Sequence, residues 1–215
     1  MLNSISKVIK VMIISDFLLN WGWGLLAPVF ALFLTQNIAG GDFRKGAEIA
    51  GGAALLYWVL KSIFQIPIGL WLDKTKGEKD DFYFMVLGDF LIGLCAFGYL
   101  FSSKVWHVYL LQALQAISMA MLVPSFSAVF TRHIDKGKEA FDWSIKSTSF
   151  GFAVGISGGI GGFLVSRFGF EIIFILVGIF SFLSSLSLFL IEEKIIPKEK
   201  LPPRLFDGRF FKFFH

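Results

Sequence analysis

Six long apolar stretches, each bounded by glycine, serine or charged residues, constrain this chain more than any other feature. A helix needs about 20 predominantly apolar residues to cross roughly 30 Å of hydrocarbon. Only 17% of the 215 residues are charged, whereas about 25% is usual in a soluble domain. We therefore predict an all-α polytopic membrane protein with a six-helix transmembrane domain over 11–191. Its spans lie at about 11–34, 47–72, 82–102, 106–130, 144–165 and 171–191.

Lysine and arginine are distributed unevenly between the connections. Fourteen lie on one side of the predicted membrane and four on the other, with two more inside spans. The four are Arg44, Lys45, Lys104 and Arg167. Positive residues accumulate on the cytoplasmic side of a membrane, so we predict a cytoplasmic N-terminus (1–10) and a cytoplasmic tail (192–215) in the plasma or inner membrane.

The tail mixes phenylalanine with arginine and lysine after three prolines. This composition favours a segment that lies on an anionic lipid surface. An unstructured tail, or the start of a longer linker, is the alternative interpretation.

Several classes of protein are disfavoured by the same residues. The net charge of +4 comes from short basic clusters between apolar stretches, which is not the basic face typical of nucleic-acid binding. The single cysteine, Cys95, allows neither an intrachain disulfide nor a CxxC motif. No His–carboxylate, Ser–Lys or Ser–His pair lies at matched depth and no phosphate loop is present, so we predict no enzymatic activity and no cofactor or metal.

Two short patterns recur three spans apart. The pattern L-x-P-x-F occupies 26–30 in span one and 122–126 in span four. Gly69 to Gly77 at the end of span two likewise corresponds to Gly162 to Gly169 at the end of span five. Because three spans separate the copies, the two triplets have opposite orientation in the membrane. Inverted three-helix repeats are typical of secondary transporters.

The stretch GLWLDKTKGEK at 69–79 resembles the loop motif between helices two and three of the major facilitator superfamily. The motif positions are Gly69, Asp73, Lys74, Gly77 and Lys79. The chain departs from the motif by one extra residue before Gly77 and by Glu78 at a usually basic position. In span four, Gln112 stands where the family pattern has arginine. The resemblance implies that spans one and four line a central cavity, while spans two and five border a second six-helix half.

Four charged residues lie inside the predicted spans: Asp16, Lys61, Asp89 and Lys146. Such residues are costly in hydrocarbon and usually mark a transport path or a buried pair. Helical periodicity places polar residues on one face of three spans. The candidate substrate-contacting residues are Asp16, Asn20 and Trp23 on span one, Lys61 and Gln65 on span two, and Gln112 and Gln115 on span four. The alternative is a structural ion pair between Lys61 and Asp16. Asp89 and Lys146, nearer the cytoplasmic ends, either reach the interface or form pairs.

Span five is rich in glycine, with Gly151, Gly155, Gly158, Gly159, Gly161 and Gly162 over three turns. Small residues let helices approach closely in a membrane, where tight packing replaces the hydrophobic effect. We interpret these glycines, together with Lys146, as a helix-packing surface. A dinucleotide-binding loop is disfavoured because the glycines lie within a predicted span.

The resemblance implies a secondary transporter, or half of one, that moves a small-molecule substrate across the lipid bilayer by alternating access. Coupling to a proton or another cation stays open. A complete facilitator has two six-helix halves, so we predict a homodimer or a second six-helix chain as partner. In a dimer, Asp73 of one subunit would approach Lys146 or the N-terminus of helix five of the other. The alternative is a non-transporting membrane assembly or regulatory protein derived from a transporter half.

Overall fold

A computed structural model describes residues 5–75 and 77–196. It contains six long helices: α1 Lys7–Leu26, α2 Phe43–Lys74, α3 Lys79–Tyr99, α4 Val105–His133, α5 Glu139–Phe168 and α6 Phe170–Leu188. All six are long and apolar enough to cross a membrane, which confirms the predicted all-α fold. A short 3-10 turn, Phe189–Ile191, and a one-turn helix, Glu192–Ile195, follow α6. Most of the predicted membrane-surface tail lies outside the described residues.

The first span is not the single helix predicted over 11–34. Helix α1 ends at Leu26, and the chain then forms a short helix, Phe30–Phe33, and a π-helical turn, Leu34–Ile38. Pro28 explains the break, because proline has no N–H to donate and its ring crowds the carbonyl four residues earlier. Helices α2 and α4 continue through Pro67 and Pro124.

Three of the other helices, α2, α4 and α5, extend beyond both ends of the predicted spans. Helix α2 begins at Phe43, where the Asp42 side chain accepts hydrogen bonds from the backbone N–H groups of Arg44 (2.9 Å) and Lys45 (3.2 Å). Helix α5 ends at Phe168 and is capped by Gly169, whose φ of 77° lies in the left-handed region that favours glycine. Apolar composition identifies the part of a helix in hydrocarbon, whereas capping residues determine where the helix stops.

The packing of the six helices follows the predicted inverted repeat. Helix α1 packs on α5 and α6, α4 packs on α2 and α3, and α3 packs on α6. Exchanging α1 with α4, α2 with α5 and α3 with α6 leaves this set of contacts unchanged. Each triplet therefore contributes one inner helix, α1 or α4, and one helix at the side, α2 or α5.

Helices α2 and α5 are the least covered elements of the bundle. In the most apolar stretch of each, 6% (α2) and 17% (α5) of the residues are buried, against 44–56% in the other four. Because the helices alternate in direction, the basic ends of α2, α3, α4 and α5 lie together. We call this the basic end of the bundle; it carries Lys74, Lys79, Arg132 and Lys138.

Candidate functional site

A cavity of about 470 Å³ lies between α1, α2 and α4. It includes four of the predicted substrate-contacting residues, Asn20, Trp23, Gln112 and Gln115. The remaining lining residues are mainly aromatic or small: Leu19, Ala27, Phe30, Ala50, Ala54, Tyr57, Trp58 and Met119. The faces predicted on α1 and α4 thus meet at one site, and α2 closes its side with two aromatic rings.

The amide side chains of this cavity differ in how they are hydrogen bonded. Gln112 donates from Nε2 to the hydroxyl of buried Tyr99 at 3.0 Å, which holds its amide against α3. Asn20 donates to the backbone carbonyl of Asp16 at 2.7 Å. Gln115 Oε1 is buried and has no hydrogen-bond partner among the described residues. A buried acceptor without a partner is unfavourable unless a ligand or water supplies a donor.

A second cavity of about 200 Å³ adjoins the first toward the basic end, between α1, α4 and α5. The two cavities share the lining residues Leu19, Asn20 and Met119. The second also contains three of the four charged residues of the spans, Asp16, Asp89 and Lys146. A polar path therefore runs along α1 from the aromatic cavity to a charged one.

The structure pairs Asp16 with Lys146, not with Lys61. Lys146 Nζ lies 3.6 Å from Asp16 Oδ2 and 5.5 Å from the centre of the Phe126 ring. The alternative ion pair between Asp16 and Lys61 is wrong because α1 packs on α5, whereas α2 packs on α4. Lys146 is therefore engaged within its own chain and does not point to a partner's Asp73 in this conformation.

Lys61 lies beside the aromatic cavity and not in its lining. Its Nζ is 4.8 Å from the centre of the Trp58 ring and 5.9 Å from that of Tyr57, within reach of cation–π attraction. Both rings line the cavity, so Lys61 contacts the candidate site through them. Gln65, one turn further along α2, is half-buried and also lies outside both cavities.

Asp89 is buried, with 1% of its surface exposed, and neither reaches the interface nor pairs with a cation. It is bonded to Ser184 of α6, and Ser15 of α1 lies beside it. The prediction that Asp89 reaches the interface or pairs with a charge is therefore wrong. No sequence signal singled out Ser15 or Ser184, since isolated serines are common in membrane helices.

The loop motif occupies the basic end. Asp73 and Lys74 are exposed on the last turn of α2, and Lys79 begins α3. Gly77 has a φ of 100°, a conformation that L side chains rarely adopt. A Cβ on Gly69 would lie 3.8 Å from Pro124 Cβ of α4, which is ordinary contact.

A group of charged side chains that the sequence patterns did not single out lies beside this loop. Arg132, near the end of α4, is bonded to buried Asp81 of α3 and lies 3.7 Å from Glu78. His133 Nε2 lies 2.8 Å from the other Glu78 carboxylate oxygen. These pairs hold α3 to α4. These pairs could not be predicted from the sequence, because their partners are about 50 residues apart in the chain.

The six predicted packing glycines of α5 divide into two faces. A Cβ on Gly161 would overlap the Leu25 carbonyl oxygen and lie 2.8 Å from its carbonyl carbon, and one on Gly158 would lie 3.6 Å from the Gly24 oxygen. These two glycines therefore let α1 approach. The other four have open space in front of them and form the open glycine face of α5: Gly151, Gly155, Gly159 and Gly162.

Six apolar helices in two inverted triplets, with polar side chains along the inner helices, are the architecture typical of secondary transporters. Comparison with protein families agrees. Residues 12–212 match the model of the Major Facilitator Superfamily, and the chain belongs to this family of membrane transporters, which are not enzymes.

The curated relatives include the multi-drug resistance efflux pump PmrA of two strains of Streptococcus pneumoniae, 28% identical over 193 residues. The match covers 87% of this chain and 46% of each pump. The chain thus spans about half the length of the curated relatives it matches.

Solved structures of transporters share the fold. The peptide transporter POT in complex with sulfate superposes with a TM-score of 0.72, at 16% identity, over 88% of this chain and 38% of that one. The POT family transporter PepTSo gives 0.67, also at 16% identity, over 92% and 39%. At this identity the likeness concerns the fold.

Proposed function

We propose that this six-helix bundle moves a small solute across the membrane by alternating access, together with a second six-helix unit. The observation that supports the proposal is the cavity between α1, α2 and α4, which brings Asn20, Trp23, Gln112 and Gln115 to one place. A bundle that served only as a structural partner would need no unsatisfied amide in such a cavity. Family membership provides the general expectation of transport.

The lining of the cavity suggests the class of solute. Aromatic rings of Trp23, Phe30, Tyr57 and Trp58 surround the amides, and no charged residue of the described chain lines this space. Such a lining suits an amphipathic molecule with an apolar body and at least one hydrogen-bond donor. Gln115 Oε1 would accept the hydrogen bond from that donor. The name of PmrA as a multi-drug resistance efflux pump is consistent with such solutes.

The second unit would cover the exposed sides of α2 and α5. A copy of this chain is the simplest partner, because a twofold axis along the membrane normal keeps the termini of both copies on the same, predicted cytoplasmic, side. The open glycine face of α5 would allow a helix of the copy to approach closely. Asp73 of one subunit would then face the α5 N-terminus of the other.

Transport can be tested with purified protein in liposomes, using ethidium and a panel of amphipathic amines and amides. We expect protein-dependent flux of at least one compound and a loss on the order of tenfold in Gln115→Leu, since one hydrogen bond to solute is removed. Gln36, an exposed residue of the π-helical turn Leu34–Ile38, lies at the end of the bundle opposite the basic end. Gln36→Leu is the matched control and should retain flux.

Absence of protein-dependent flux for the whole panel would contradict the proposal and favour a non-transporting assembly or regulatory role. Equal flux in Gln115→Leu and wild type would mean that the solute does not bind in the cavity between α1, α2 and α4.

A further inference from the structure

A buried carboxylate at the junction of α1, α3 and α6 is not explained by the solute cavity. Asp89 of α3 is 1% exposed and its Oδ1 has no hydrogen-bond partner among the described residues. Its Oδ2 lies 2.5 Å from Ser184 Oγ and 3.4 Å from Ser15 Oγ. Both serines are also buried.

The two serine hydroxyl groups of this cluster do not provide enough hydrogen-bond donors for an ionised carboxylate. If Asp89 is ionised, the Ser184 hydroxyl can donate to Oδ2 or to the Ser15 carbonyl oxygen at 2.9 Å, but not fully to both. The Ser15 hydroxyl lies closer to Ser184 Oγ (2.8 Å) than to Asp89. An ionised, buried carboxylate would then accept about one good hydrogen bond, which is unfavourable for a charged group that is almost fully removed from solvent.

One additional proton gives every hydrogen of this cluster an acceptor and leaves Oδ1 as the carbonyl oxygen of a neutral acid, which is less costly to bury than an ionised carboxylate. A protonated Oδ2 donates to Ser184 Oγ, Ser184 donates to the Ser15 carbonyl, and Ser15 donates to the Ser184 carbonyl at 3.3 Å. Each hydrogen then has one acceptor.

The charged groups around Asp89 also favour one additional proton. The described charged groups that line its cavity are Asp16 from α1 and Lys146 from α5, which pair at 3.6 Å. Helix α4 lines the same cavity with Met119, Leu122, Val123, Phe126 and Ser127, and α6 presents Ser184, so neither contributes a titratable group there. With Asp89 ionised the three groups carry a net charge of −1, and one proton neutralises it.

We propose that Asp89 holds a proton in this conformation and exchanges it with water through the cavity that contains Asp16 and Lys146. One proton adds to the carboxylate to form a neutral acid, and its release restores the carboxylate with no other bond changed. Release would make Asp89 compete with Asp16 for Lys146. Protonation would thereby be linked to the contact between α1 and α5.

The protonation itself is tested without transport. Infrared spectra of the purified protein in an ester-free detergent at neutral pH should show a neutral carboxylic acid band that shifts on exchange into D₂O. Asp89→Asn should lose this band and stay folded, because its amide can donate to Ser184. The matched control Asp81→Asn should retain the band, since Asp81 is paired with Arg132.

Absence of the band in the wild type, or its persistence in Asp89→Asn, would overturn the proposal. Loss of the band in Asp16→Asn but not in Asp89→Asn would show that Asp16, and not Asp89, holds the proton, and would also overturn the proposal.

The link to transport rests on the proposed function and has its own readout. In liposomes, Asp89→Asn should lose accumulation of solute driven by a pH gradient, whereas exchange of solute without a gradient should continue. Accumulation that persists in Asp89→Asn overturns the link. If even the wild type moves no solute, the proposed function fails, while the infrared result still decides whether Asp89 holds a proton.

Discussion

At the scale of single residues, the charged side chains inside the membrane helices differ in how they are compensated. An isolated charge in a span costs at least about 2.5 kcal/mol on insertion scales, and three of the four found here have a compensating ionic or cation–π contact. Asp16 and Lys146 pair with each other, Lys61 lies on two aromatic rings, and Asp89 lies among serine hydroxyls.

The Asp16–Lys146 pair leads to a residue-scale prediction. Lys146→Met should lower the thermal stability of the detergent-solubilised protein, because it leaves the Asp16 carboxylate buried without its cation. The double variant Asp16→Asn/Lys146→Met should recover most of the loss. We expect a coupling of about 1–3 kcal/mol in a double-mutant cycle. Additive effects of the two single changes would show that the pair does not stabilise the fold.

At the scale of elements, α5 shows how one glycine-rich helix has two different surfaces. Gly158 and Gly161 face the backbone of α1, whereas Gly162, the next residue along, faces open space. The same asymmetry is found on α1, where a Cβ on Gly24 would overlap Ser157 Oγ and lie 2.9 Å from Val154 Cα. The contact between α1 and α5 is therefore a close backbone approach built from glycines of both helices.

This asymmetry predicts opposite outcomes for neighbouring substitutions. Gly161→Ala should lower stability by about 1–3 kcal/mol, because the added methyl group overlaps the backbone of α1. Gly162→Ala should leave stability unchanged or raise it by about 0.5–1 kcal/mol through helix propensity. Thermal unfolding in the same detergent compares the two variants. Equal destabilisation would mean that α5 is rotated relative to α1 from the orientation described.

At the scale of the whole molecule, the bundle is closed by α1, α3, α4 and α6 and open at α2 and α5. The share of buried residues in the apolar stretches of α2 and α5 is less than half that of the other helices. Lipid can cover apolar side chains, but a row of glycines offers little contact to it. A second six-helix unit is the partner proposed for these faces.

The mass of the detergent-solubilised particle tests a homodimer directly. We expect twice the chain mass of 24.1 kDa for the wild type by light scattering corrected for detergent. Gly155→Trp should shift the particle toward one chain, because the bulky side chain occupies the open glycine face. Leu186→Trp, on an exposed part of α6, is the matched control and should leave the mass unchanged. A wild-type particle of one chain would contradict the homodimer.

The sequence alone was sufficient to predict the six spans, the inverted repeat and the polar faces of α1 and α4. Each of these depends on residues close together in the chain, because the thickness of the hydrocarbon acts on every helix separately and helical periodicity assigns its faces. Asn20, Trp23, Gln112 and Gln115 lie on these faces, and the family resemblance, not periodicity, implied that the faces meet in one cavity.

Only the tertiary structure decided which residues from different helices are partners. Asp16 pairs with Lys146 and not with Lys61 because α1 has α5 as its neighbour. Ser15 and Ser184 become important only where α1 and α6 bring them to Asp89. Partners across helices depend on packing between segments far apart in the chain, and neither hydropathy nor periodicity within one segment contains that information.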